Sequence, residues 1–123
     1  QHPVCAAVAL RTLQIYEERD LLAHVRSLIP RFQQRLAALA SHPLVGEARL
    51  GGGLMGGVEL VADKATKRAF DPKLTVGMKG LLACQKEGLM VRAVGDVVIL
   101  CPPLIITEAQ IDEMFDRLKR ALD

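Results

Sequence analysis

Arg92 is the residue of this chain with the most obvious chemical potential. It lies in GLMVRAVGDVVILCPPLIIT, residues 88–107, where it is the one charged side chain of an apolar, strand-like run that leads into a tight Gly95-Asp96 turn. A guanidinium in such surroundings needs an anionic partner, because burying an unpaired charge among apolar groups is costly. The spacing leaves two readings open. Arg92 is either a strand-edge arginine that reaches water or pairs with Asp96 across the turn, or a ligand for an external anion.

Other groupings of reactive residues are weaker. Gly51-Gly52-Gly53-Leu54-Met55-Gly56 satisfies the GxGxxG pattern of dinucleotide sites, but the strand-like VELV follows it instead of a helix whose N-terminus could hold a pyrophosphate. The competing expectation is a hairpin whose glycines serve positive φ or close approach. His2, His24 and His42 are too scattered for a metal cluster, and His24 falls among the polar positions of a helix, which indicates a structural or surface role. Cys5, Cys84 and Cys101 show neither CxxC spacing nor an even count, which argues against a zinc site or a disulfide framework and suits a reducing, cytoplasmic setting. Apolar neighbours make Cys84 and Cys101 expected core residues. No nucleophile and base stand at a recognisable spacing.

The elements that must position Arg92 follow from periodicity. An alanine-rich segment from Val4, VCAAVALRTLQIYEER, is a helix former with apolar residues on nearly every face as far as Leu13, so it should bury against something larger. Asp20 is the expected N-cap of a second helix with a stripe of Leu21, Leu22, Val25, Leu28, Ile29, Phe32, Leu36 and Leu39. Pro30 inside it predicts a kink or break between Ser27 and Arg31, and His42-Pro43 ends it. Strands are expected at residues 44–50 and 54–61, joined by the glycine run, and a polar loop at 62–73 then leads to a helix at about 75–87 that Gly88 closes. Two further strands, 89–93 and 97–101, flank Gly95-Asp96, and Pro102-Pro103 forbids continuation. Thr107 and Gln110 open the last helix as a capping box, with Ile111, Met114, Phe115, Leu118 and Leu122 on its apolar stripe. The order ααββαββα implies an α+β fold, a small antiparallel or mixed sheet of about four strands covered by helices.

Residues 1–123 suit a single domain, long enough to bury roughly two thirds of its unfolded surface. Sixteen basic against 14 acidic side chains and 3% aromatics exclude an electrostatic or stacking nucleic-acid binder. The longest apolar runs are too short to span a bilayer, and Gln1-His2-Pro3 does not begin like a signal peptide, so neither nucleic acid nor membrane is an expected partner.

Three ordered blocks, HPVCAAVALRTLQIYEERDLL, HPLVGEARLGGGLMGGVELVADKATKRAFDP and GLMVRAVGDVVILCPPLIIT with the helix after it, make the chain resemble the C-terminal part of class III aminotransferases. These are pyridoxal-phosphate enzymes of fold type I, and the likeness is greatest to omega-type enzymes that move an amine onto pyruvate. The resemblance implies a small C-terminal domain packed on a large cofactor domain within a homodimer, with amine and keto acid substrates. It also implies that the lysine holding pyridoxal 5'-phosphate lies upstream, since none of Lys64, Lys67, Lys73, Lys79, Lys86 or Lys119 stands in a matching motif. On this resemblance the 123 residues lack the large domain and should bind no cofactor and be inactive alone. The family carries Thr-x-Ser-Gly before His-Pro as a phosphate contact, whereas Gln1 stands here at the glycine position. Arg92 does match, and the M-x-R-A-x-G-D block implies a mobile arginine that binds the substrate carboxylate and withdraws for bulky apolar amines. The alternative class is a stand-alone, non-catalytic interaction or ligand-sensing module.

Overall fold

A computed structural model describes residues 2–123, so the Gln1 position lies outside the described residues. The elements are α1 (Pro3–Glu18), α2 (Leu21–Ala38), β1 (Val45–Gly52), β2 (Met55–Leu60), α3 (Val76–Lys86), β3 (Arg92–Val94), β4 (Val97–Leu100) and α4 (Glu108–Leu122). The order is the expected ααββαββα. The four strands form one antiparallel sheet in the order β1-β2-β4-β3, which makes the fold α+β.

Period-two alternation divides the sheet into two unlike faces. Gly56, Val58 and Leu60 of β2 and Val98 and Leu100 of β4 are buried. Helices α2 and α3 cover this face: a methyl added at Gly56 would lie 2.8 Å from Leu36 and 3.3 Å from Phe32, and one at Gly80 would touch Leu60 and Val98. α4 packs on both α2 and α3, and Ile111, Phe115 and Leu118 complete the core. The opposite face carries Gly57, Glu59, Val97, Ile99, Arg92 and Val94 and, among the described residues, has no helix over it.

Both hairpins turn on a glycine at the first central position, Gly53 at φ 59 and Gly95 at φ 56, a region that side chains rarely adopt. The GxGxxG glycines therefore serve a turn and a close approach. Leu54, the other central residue of the first turn, is buried in the core.

Three local expectations are corrected. Asp20 adopts φ 44, ψ 48 and its side chain caps nothing, because a two-residue link between α1 and α2 requires a left-handed residue there, which Asp tolerates. The break expected at Pro30 does not occur: α2 is continuous through it, with Pro30 solvent-exposed and Leu28 and Phe32 on either side buried. Tertiary packing thus outweighs the missing backbone bond. Cys101 is exposed, since it follows Leu100 on β4 and alternation turns it to the open face, whereas Cys84 is core as expected.

α2 and α4 are strapped together at their rims. Arg31 donates to both Asp112 oxygens at 2.7 Å, and Arg35 pairs with Asp116. The Arg31 guanidinium holds the Asp112 carboxyl below its ordinary range. A depressed folded-state value contributes stability that is present above the unfolded value of about 3.9 and is lost as pH falls through the folded one. The strap is accordingly expected to be insensitive between neutrality and pH 5 and to weaken below about pH 4, with the acid loss reduced in Asp112→Asn when unfolding is followed against pH.

α4 has the predicted start. Thr107 Oγ1 accepts from the Gln110 amide at 3.3 Å and Gln110 Oε1 accepts from the Thr107 amide at 2.9 Å. Thr107→Ala should cost about 1 kcal/mol in denaturant unfolding.

Candidate functional site

Arg92 opens β3, a three-residue edge strand bonded only to β4, with Arg92 opposite Ile99 and Ile99 opposite Gly57 of β2. This register sets the arginine on the open face. Its surroundings are an open groove of about 560 Å³ walled by Met55, Met90, Val94, Ile99 and Cys101. Ile99 and Cys101 could have been found from alternation along β4. Met55 could not, because it enters only through the β2-β4 pairing, 37 positions away in sequence.

The structure removes one part of the first reading of Arg92, the pair with Asp96. Asp96 does not pair with it: Asp96 Oδ1 accepts from the Gly77 amide at 3.2 Å, at the start of α3. Glu59, on the same face, lies 3.8 Å from Arg49. Among the described residues, Arg92 therefore has neither carboxylate as a partner, and its guanidinium is exposed beside an apolar wall. A planar fork of donors in that position can take a carboxylate through two parallel bonds.

Two histidines have internal partners. His24 Nε2 is 2.9 Å from the Ile106 carbonyl and ties α2 to the segment after Pro103, which gives it the expected structural role. His42 Nδ1 accepts from the Leu44 amide, so its Nε2 carries the proton donated to Asp123 at 3.2 Å. A second, larger groove of about 720 Å³, lined by Leu89, Pro103, Ile105 and Met114, also carries Thr107 and Gln110, whose side chains bond to each other. The exposed Cys101 thiol also lines it.

The lysines lie at the surface. All six are exposed; Lys64 Nζ donates to the Ala40 and His42 carbonyls and Lys119 pairs with Asp123. A lysine that holds a pyridoxal aldehyde needs an enclosed site in which the amine can shed its proton. Among the described residues no lysine is so enclosed. Among the described residues no cluster of His, Cys, Asp and Glu could hold a metal ion, and no helix is long and apolar enough to cross a membrane.

Comparison with known proteins agrees with the architecture. The sequence model of the family Aminotransferase class-III matches residues 2–122. The chain is 45% identical over 123 residues to the putrescine–pyruvate aminotransferase of Pseudomonas aeruginosa, covering 99% of this chain and 26% of that protein. It is 40% identical over 121 residues to a probable gamma-aminobutyrate transaminase 3, mitochondrial, of Oryza sativa subsp. indica, covering 98% of this chain and 24% of that one. A PLP-bound aminotransferase mutant from Vibrio fluvialis superposes with a TM-score of 0.93 at 45% identity, over 98% of this chain and 26% of its own. The chain thus spans about a quarter of the length of the relatives it matches.

Proposed function

Since the chain belongs to the class III aminotransferases, we propose that it is the C-terminal domain of an enzyme that moves an amino group between an amine or amino acid and a keto acid such as pyruvate, with Arg92 as the ligand of the substrate carboxylate. The observation that carries this reading is an arginine without a carboxylate partner, set among apolar side chains on the uncovered face of the sheet.

Within that enzyme the chain's own residues bind and orient. Arg92 holds the two carboxylate oxygens, and the fixed fork restricts how the keto acid can lie. Met55, Met90 and Ile99 displace water from one side of the pair, which strengthens the charge-assisted bonds. Withdrawal of the long arginine stem over the same wall would leave an apolar surface for an amine without a carboxylate. Pyridoxal 5'-phosphate, where bound, supplies the electron sink of the reaction; its lysine belongs to the rest of the protein on this reading, consistent with six exposed lysines here.

α1 supports a covering body. None of its residues is buried, and Val4, Val8, Leu10 and Leu13 are each about 60% exposed. We assign that surface to the large domain and a second subunit, since an uncovered apolar face of this size marks an interface.

The test is amino transfer by the full-length protein from a primary amine to pyruvate, followed as alanine formed. Arg92→Ala should weaken pyruvate use while sparing an aldehyde acceptor that has no carboxylate. Equal loss on both acceptors would remove Arg92 from the site, and no alanine from any amine would overturn the activity.

A further inference from the structure

We propose that Asp96 is a positioning residue for Arg92: by anchoring the β3-β4 turn to the start of α3, it fixes the edge strand that presents the guanidinium. This role presupposes Arg92 as the carboxylate ligand.

The need for an anchor follows from the strand. β3 is three residues long and is bonded on one side only. Edge strands of this kind have little intrinsic hold on their register. Three contacts supply it at the turn. The Leu60 amide donates to the Asp96 carbonyl at 2.8 Å, extending the β2-β4 pairing into the turn. The Gly77 amide donates to Asp96 Oδ1 at 3.2 Å. Gly77 also lies so close to the Gly95 carbonyl that a methyl there would overlap it, and Gly77 itself is buried.

The helix needs the contact as much as the turn does. Thr75, at the N-cap position of α3, is left-handed at φ 47, ψ 46 and its side chain caps no amide. Asp96 supplies from the hairpin the acceptor that the local sequence does not, at the end of the helix where a carboxylate is favoured. One carboxylate thereby serves a helix start and a turn together. The anchor therefore acts on where Arg92 is held.

Steady-state kinetics of the full-length enzyme with pyruvate and with an aldehyde acceptor test this. Asp96→Ala should lower kcat/KM for pyruvate about ten-fold, mainly through KM, the kind of loss that slight misplacement of a binding group produces. Aldehyde use should stay within about two-fold, and Asp96→Asn should resemble the parent on both because its Oδ1 still accepts from Gly77. If Asp96→Ala does not fold, Asp96→Glu, which keeps the charge and shifts the acceptor by one methylene, should show the same selective loss. Unchanged pyruvate use, equal loss on both acceptors, or an Asp96→Asn as impaired as Asp96→Ala would overturn the role. Arg92→Ala run alongside separates the failures. Selective loss at Arg92 without it at Asp96 removes the anchor alone, whereas equal loss at Arg92 removes the carboxylate reading on which the anchor depends.

Discussion

Arg92→Ala in the full-length enzyme is expected to lower kcat/KM for pyruvate by about a hundred-fold or more, since two charge-assisted bonds of about 1.5–3 kcal/mol each are lost. The aldehyde acceptor should change by less than about five-fold, because it makes neither bond. Arg92→Lys sharpens the expectation. An ammonium keeps the charge but not the planar fork, so it should recover part of the loss while remaining about ten-fold below the parent on pyruvate. A lysine as good as the arginine would mean that long-range charge alone attracts the keto acid. Ionic strength separates the cases as well: a screened, long-range attraction falls steeply with added salt, whereas a contact pair beside Met55 and Ile99 falls less.

How much of this was legible in sequence depends on whether the deciding contact is local. The capping box at Thr107 and Gln110, the stripe of α4 and the turn at Gly95-Asp96 are set by residues within one turn of each other, and each stands where periodicity places it. Arg92 was visible for the same reason, as one charge in an apolar run. What sequence could not show is who sits opposite. Asp96 is adjacent to the arginine's strand and looked like its partner, yet the donor that holds it, the Gly77 amide, is 19 residues upstream. Met55 joins the groove only through the strand order β1-β2-β4-β3. Asp20 and Pro30 show the converse. Their local preferences were read correctly as preferences, but a short interhelix link imposes a left-handed residue on one, and buried neighbours carry the helix through the other. Cys101 was misjudged because apolar neighbours in sequence alternate between faces in a strand, so its company along the chain is not its company in space.

The fold that supports the groove should be most vulnerable at Phe115. Its ring meets Phe32 edge-on, with centroids 5.3 Å apart at 68°, and both side chains are almost wholly buried between α2 and α4. Phe115→Ala is expected to cost about 3–5 kcal/mol, the loss of a buried aromatic plus the cavity it leaves. Measured as a fall in the denaturant midpoint, that is a large part of the 5–15 kcal/mol a typical protein has in total. Phe115→Leu keeps most of the volume and should cost less than about 2 kcal/mol. The effect should reach the groove through one residue. Phe32 lies against Gly56, and Gly56 is the neighbour of Met55 on β2, so loosening the ring pair loosens the strand that carries one wall. In Phe115→Leu, which is expected to fold, pyruvate KM should therefore rise modestly, while a Phe32→Leu, Phe115→Leu double variant should cost less than the sum of the singles, because the two share one contact. Strictly additive losses would mean that the rings act independently and that α2 and α4 are held chiefly by the Arg31 and Arg35 strap at their rims.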